Sequence, residues 1–201
     1  MTGLLKPTLV AAMTMVGAGS SYAQDAPKNN GEIRDLKATI LDLKGPPSDL
    51  NSAISDLSAR ADGLAAQYSG LSVRQDKQTV RVSMTGDILF DFDKASIRPA
   101  AETTLSDIAR LIRSISAGTV VIEGHTDSKG TVRYNKDLSL RRAKAVAKWL
   151  AAHGADKARL SVKALGDSRP IAPNTLENGA DNPKGRALNR RVEFVLPRES
   201  Q

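Results

Sequence analysis

The chain has 201 residues, with 29 Lys and Arg against 22 Asp and Glu for a net charge of +7, and its seven aromatic residues leave a core that must be chiefly aliphatic. That is enough for one packed domain plus an accessory segment. No cysteine is present and His125 and His153 are the only histidines, which excludes disulfides, thiolate metal sites, a cysteine nucleophile, a lipidated cysteine and a three-histidine zinc centre.

Residues 1–23 read as a signal peptide. A basic start ends at Lys6, an apolar run spans Leu9 to Ala18, and Ser21-Tyr22-Ala23 fits the small-x-small cleavage rule. The run is about half of the ~20 residues a spanning helix needs. Residues 24–31 are a polar linker. Over 32–72 the apolar residues keep a seven-residue beat, with Ile33, Ile40, Ile54, Ala61 and Tyr68 in one set and Leu36, Leu43, Leu50, Leu57, Leu64 and Leu71 in the other. These are coiled-coil positions. Pro47, within Gly45-Pro46-Pro47, breaks the pattern. Two helices are expected, about 32–44 and 49–70, either joining chains together or lying on a neighbouring domain.

The next elements alternate. Thr79–Thr85 has the period of a half-buried strand, and Ile88–Asp93 carries it into a loop. Ile97, Ala101, Leu105, Ile108, Ile112 and Ile115 predict an amphipathic helix over 98–116, with Pro99 in its first turn. Thr119–Glu123 is a buried strand. A second helix is expected from Asn135, as its N-cap, to His153, stopped by Gly154. Leu160–Leu165 is a strand, 167–188 a long polar loop, and Val192, Phe194 and Leu196 alternate in a last strand. The β-α-β-α-β-loop-β order predicts an α/β (α+β) two-layer domain with a mixed sheet over 76–198.

Charge is unevenly placed. Residues 24–132 hold 13 basic and 15 acidic groups, whereas 133–201 hold 15 and 7. The basic half favours an anionic partner. Export and the few aromatic residues argue against nucleic acid.

The chemistry concentrates in Gly124-His125-Thr126-Asp127-Ser128-Lys129-Gly130, which follows a buried strand and precedes a helix, where α/β sheets place ligands. Leu138 and Arg142 share one helical face. Asp127 and Arg142 then present a carboxylate and a guanidinium to one crevice. Two readings fit: the pair bridges itself, or it grips the ammonium and carboxylate of an amino-acid head group. Asp87, Asp91 and Asp93 lack the regular ligand spacing of a calcium loop. His125 beside Asp127 has no accompanying Gly-x-Ser-x-Gly or Ser-x-x-Lys motif. It is expected to hydrogen-bond locally, His153 to complement a helix end, and Trp149 to pack in the core.

GHTDSKG, Asn135-x-x-Leu138-Ser139-x-x-Arg142-Ala143, Ala164-Leu165-Gly166-Asp167-x-x-Pro170, Gly185-Arg186-x-x-Asn189-Arg190-Arg191-Val192-Glu193 and the upstream Leu89-Phe90-Asp91-Phe92-Asp93 together resemble the OmpA-like peptidoglycan-binding domain. The resemblance covers about 79–196. It implies non-covalent binding of the diaminopimelate residue of the wall's stem peptide, with no catalysis, cofactor or metal. It also implies that Asp127 and Arg142 are the principal ligands, that Thr126, Asn135, Phe90 and Asp91 line the same pocket, and that one of Arg190 and Arg191 buttresses it. The expected location is the periplasm, at the wall and the outer membrane. The arm over 32–72 is expected to join the protein to itself or to another envelope protein. The alternative is an oligomeric scaffold in which the arm is the working part and wall contact is incidental.

Overall fold

A computed structural model describes residues 48–198, with side chains from Ser55 onward. The expected signal peptide, linker and first half of the heptad arm lie outside the described residues. No helix of the described residues is long and apolar enough to cross a membrane.

Helix α1 (Ser48–Gln67) covers the second half of the heptad pattern, and from Leu57 onward its apolar stripe is used within the chain. Leu57 and Ala61 are buried in the common core, Leu64 and Tyr68 pack against it, and the Tyr68 hydroxyl donates to Asp107 at 2.6 Å. Over 57–68 the heptad positions therefore serve docking on the adjoining domain. The helix ends at Gln67, three residues earlier than the pattern suggested. Gly70, at φ +81°, turns the chain into an edge strand, β1 (Leu71–Gln75), which takes the last two residues of the expected arm and precedes the expected domain start at 76.

Strand β2 (Thr79–Thr85) pairs antiparallel with β1 and leads into a short helix, α2 (Gly86–Leu89). A 3-10 turn (Pro99–Ala101) then opens α3 (Glu102–Arg113). The periodicity had extended α3 over 98–116, but Pro99 begins a tighter turn and the α-helix proper starts at Glu102. Strand β3 (Val120–His125), helix α4 (Val132–Ala152), strand β4 (Leu160–Gly166), a short helix α5 (Pro183–Asn189) and strand β5 (Arg191–Pro197) complete the domain. The expected cap at Asn135 is corrected. Thr131, with extended backbone, accepts from Tyr134 N at 3.2 Å and starts α4 four residues earlier, leaving Asn135 inside the helix and buried. Gly154, at φ +91°, follows the helix end as expected.

The five strands form one mixed sheet in the order β1-β2-β5-β3-β4, with β3 and β4 parallel and the other pairs antiparallel. Val80, Val82, Met84, Ile122, Phe194 and Leu196 point to one face, where Leu105, Ile108 and Ile112 of α3 and Val146 and Leu150 of α4 join them in the core. Each fully buried aliphatic side chain contributes about 1.5–3 kcal/mol. The two-layer mixed α+β expectation matches this architecture. Alternate residues on the other sheet face, Arg81, Glu123, His125, Arg191 and Glu193, are charged or polar, so apolar burial on one face fixes where the charges go.

Close approach sets the distance between sheet and helix. A Cβ on Gly124 would collide with the carbonyl oxygen of Ser139 in α4 and stand 2.9 Å from its carbonyl carbon. Only glycine lets α4 lie so near β3. The Ser139 hydroxyl then reaches across to accept from Gly166 N at 3.0 Å.

Candidate functional site

A cleft of about 640 Å³ lies beyond the carboxyl end of β3. Its walls come from the turn after β3, the start of α4, the segment following α2, and Arg186 and Arg190 from α5 and its end. All six residues expected to contact a ligand, Phe90, Asp91, Thr126, Asp127, Asn135 and Arg142, line it.

The turn after β3 is tightly fixed. Thr126 N donates to Gly166 O at 2.9 Å, and Asp127 Oδ1 accepts from Lys129 N at 3.1 Å. Asp127 Oδ2 accepts from Arg190 Nη1 at 2.9 Å and from Arg186 Nη1 at 3.3 Å. Arg190 also forks onto Asp87, with Nε and Nη2 at 3.1 and 2.8 Å from its two carboxylate oxygens. The hydrogen bond to Asp87, opposed by burial and helped by the bond to Asp127, raises the pKa of Arg190. Arg186 grips Asp181 in the same forked manner, at 2.9 and 2.6 Å.

Arg142 is only 6% exposed. Its Nε donates to Lys94 O at 3.0 Å, and its guanidinium carbon sits 5.1 Å from the Phe90 ring centroid, a cation–π arrangement. No ion pair joins Arg142 to a carboxylate among the described residues. Burial, and then the nearby charge of Arg190, lower its pKa. Asp127 and Arg142 thus share a cleft without bridging each other. Two further wall groups, Thr126 Oγ1 and Asn135 Nδ2, are buried and have no hydrogen-bond partner. Asp91 is exposed at the mouth, 3.5 Å from both Lys94 Nζ and Arg98 Nε.

Arg190 and Arg191 divide their roles. Arg190 serves the cleft, whereas Arg191 lies on the outer face of the sheet, its Nε donating to Glu193 Oε1 at 2.7 Å. Glu193 also receives Arg74 at 2.9 Å and Arg81 at 3.2 Å, while Glu123 receives Arg81 at 3.2 Å and lies 3.7 Å from Lys163. Burial raises the pKa of Glu193, but the Arg191 hydrogen bond and charge outweigh it and leave the value lowered. Glu123, His125 and Glu193 bring donor atoms within 4.8 Å of one another. Their types suit a divalent cation, yet Arg74, Arg81, Arg191 and Lys163 already oppose the two carboxylates. The surplus positive charge works against a metal ion, and the cluster reads as a lock on the sheet.

The expected local hydrogen bond of His125 is not formed: both ring nitrogens are buried without a partner. Burial and then the Arg191 charge lower its pKa to about 4, so the ring is neutral at pH 7. His153 meets its expectation, with Nδ1 2.8 Å from Trp149 O in the last turn of α4. Trp149, partly buried against the core, stacks on the His153 ring at 3.6 Å.

Sequence reasoning gave no cleft role to Arg186 or Asp87. Arg186 lies on a seven-residue helix within the stretch taken as loop. The signal for that helix was present in Asn182-Pro183, an N-cap followed by proline at the first helical position.

A profile described as the OmpA family matches residues 89–183. The chain is 40% identical over 120 residues to photosystem I P700 chlorophyll a apoprotein A2 of Gloeobacter violaceus, a match covering 60% of this chain and 14% of that protein. It is 39% identical over 116 residues to outer membrane protein A of Bordetella avium, covering 58% of this chain and 57% of the relative. The chain therefore spans between 14% and 57% of the length of these two curated relatives. Among solved structures, the cell wall anchor of the T6SS from Pseudomonas aeruginosa aligns with a TM-score of 0.60 at 34% identity, covering 71% of this chain and 97% of that one.

Proposed function

The chain belongs to the OmpA family, and we propose that its cleft binds peptidoglycan without covalent chemistry by gripping the diaminopimelate of the stem peptide. The observation that carries this reading is Arg142, a guanidinium buried beside an aromatic ring with no carboxylate partner among the described residues. Leaving a buried charge uncompensated costs several kcal/mol, roughly 3–5 where a partner is removed. A ligand carboxylate compensates it. Asp127 offers the opposite charge for the ligand ammonium, and Thr126 Oγ1 and Asn135 Nδ2 offer hydrogen bonds that the protein leaves unmade. Phe90 supplies the apolar wall and Asp91 the rim. A zwitterionic amino-acid end fits both charges at once, and a plain anion or cation fits only one.

A relative named outer membrane protein A and a neighbour described as a cell wall anchor support a binding role at the cell envelope. We place the protein in the periplasm, exported by residues 1–23, with the wall as its partner and no enzymatic step. The arm over 32–72 positions the domain. From Leu57 onward its stripe is occupied by the domain itself, which favours placement over the scaffold alternative.

The test is pull-down of the full chain with purified sacculi at low and high salt, comparing wild type, Asp127→Ala and Arg142→Ala. Loss of binding in both variants, persisting at high salt where surface attraction is screened, is the expected result. Asp127→Ala makes the protein more basic, so non-specific adhesion to an anionic wall rises in that variant. Undiminished binding that fades with salt overturns the reading.

A further inference from the structure

We propose that Phe92 is an additional ligand-contacting residue of the cleft, its ring packing against a C–H-rich face of the polymer that leaves the zwitterion grip; this rests on the peptidoglycan reading above. Phe92 is 95% exposed, the highest value for a large apolar side chain among the described residues, and it lines the cleft. Single exposed apolar residues are ordinary on protein surfaces. Two features set this one apart.

First, its turn is fastened on both sides. Lys94 N donates to Asp91 O at 3.0 Å, and the Asp91 carboxylate lies 3.5 Å from Lys94 and from Arg98. Asp93 receives the Tyr134 hydroxyl, and Lys94 O receives Arg142 Nε at 3.0 Å. The ring is therefore carried by the same short segment that holds the principal cleft cation. Second, Asp93 has a φ of +58°, the only non-glycine residue in the left-handed region among the described residues. Such a conformation costs on the order of 1 kcal/mol or more and persists where the surroundings over-determine it. Phe92 immediately precedes this residue, on the lining of the cleft.

The turn that carries the ring is already fastened before a ligand arrives, so covering the ring costs little further backbone ordering. The grip engages the charged end of the stem residue. The remainder crosses the rim and offers two C–H-rich faces, the methyl and methylene groups of the stem peptide and the ring faces of the sugar. Asp127 and Arg142 cannot read either, and Phe92 can.

Full-length wild type, Phe92→Ala and Phe92→Trp are compared against sacculi, the soluble stem tripeptide and the disaccharide-linked tripeptide. Phe92→Ala keeps the wild-type unfolding midpoint, since the ring touches solvent, and binds sacculi about three- to tenfold more weakly. Phe92→Trp retains binding, and its emission shifts to the blue on ligand addition, beyond any change in wild type from Trp149. A loss with both soluble probes assigns the contact to the peptide; a loss confined to the disaccharide-linked probe assigns it to the sugar. Wild-type affinity of Phe92→Ala for all three probes, with no spectral shift in Phe92→Trp, overturns the proposal. Asp127→Ala, measured in parallel, keeps the readings apart. Wild-type binding by that variant overturns the cleft reading, whereas its loss beside an unaffected Phe92→Ala overturns only the Phe92 contact.

Discussion

Arg190 holds Asp127 and Asp87 with one guanidinium, donating Nη1 to the first at 2.9 Å and Nε and Nη2 to the second at 3.1 and 2.8 Å. The two contacts are unequal. Asp127 is nearly buried, whereas the Asp87 side chain is more than half exposed, where ion pairs contribute little. Arg190→Ala should lower unfolding free energy by about 1 kcal/mol and Asp87→Ala by under ~0.5 kcal/mol, read from urea denaturation. Because Asp127 keeps Lys129 N and Arg186, Arg190→Ala should weaken sacculus binding less than Arg142→Ala does. An equal loss in the two variants would show that Arg190 itself meets the ligand.

Gly124→Ala tests the close approach of β3 and α4. The new methyl meets backbone of α4, which has no flexible end to yield. A cost of about 3 kcal/mol is expected, at the upper end for overpacking, with a parallel loss of binding because Thr126 and Asn135 sit on the two displaced elements. Thermal unfolding measures the first effect and pull-down the second. A stability change below ~0.5 kcal/mol would mean that the helix shifts freely.

Glu193 accepts from three arginines and is buried, as is Arg191. Glu193→Ala should destabilise by about 3–5 kcal/mol, since it leaves Arg191 buried without its carboxylate. Combining it with Arg191→Met should recover part of that loss. A double variant no more stable than Glu193→Ala alone would argue against charge burial as the cause.

The folded-state pKa of His125, lowered from 6.5 to about 4, gives stability a defined pH dependence. Between those values the unfolded chain binds a proton that the folded chain refuses, so stability rises with pH across the window. Wild type should lose on the order of 3 kcal/mol between pH 6.5 and 4 from this group alone. Glu193 adds to the decline at the acid end: its lowered pKa contributes stability that is present above the unfolded value and lost as pH falls through the folded one. His125→Gln should flatten the portion between pH 6.5 and 5 in chemical denaturation curves. An unchanged slope there would show that His125 is protonated in the folded protein.

The legible parts of this protein were those in which one physical requirement dominates. Leu105, Ile108 and Ile112 show α3 through their spacing, and Val192, Phe194 and Leu196 show β5 through alternation, because each element buries one face. Asp127 and Arg142 could be paired because the end of a strand and one helical face bring them to the same crevice. Strand β1 was hidden because Leu71 also continues the heptad, so one residue satisfied two patterns. Arg186 was hidden for a different reason. It meets Asp127 across 59 positions of sequence, and its helix has too few turns to set up a periodicity. The separate duties of Arg190 and Arg191 depend on where β5 begins, which neighbouring identical residues cannot express.

That last boundary couples recognition to architecture through reading frame. Residue 190 caps α5 and faces the cleft, while residue 191 opens β5 on the outer sheet face. Losing one residue between Asn189 and Val192 would leave a single guanidinium where two opposed positions each need one. Either Asp127 would lose Arg190 or Glu193 would lose its buried partner Arg191, however well the remaining sequence were kept. Insertions and deletions should therefore be far less tolerated at this junction than in the exposed turn around Gly179, even though both lie outside the hydrophobic core.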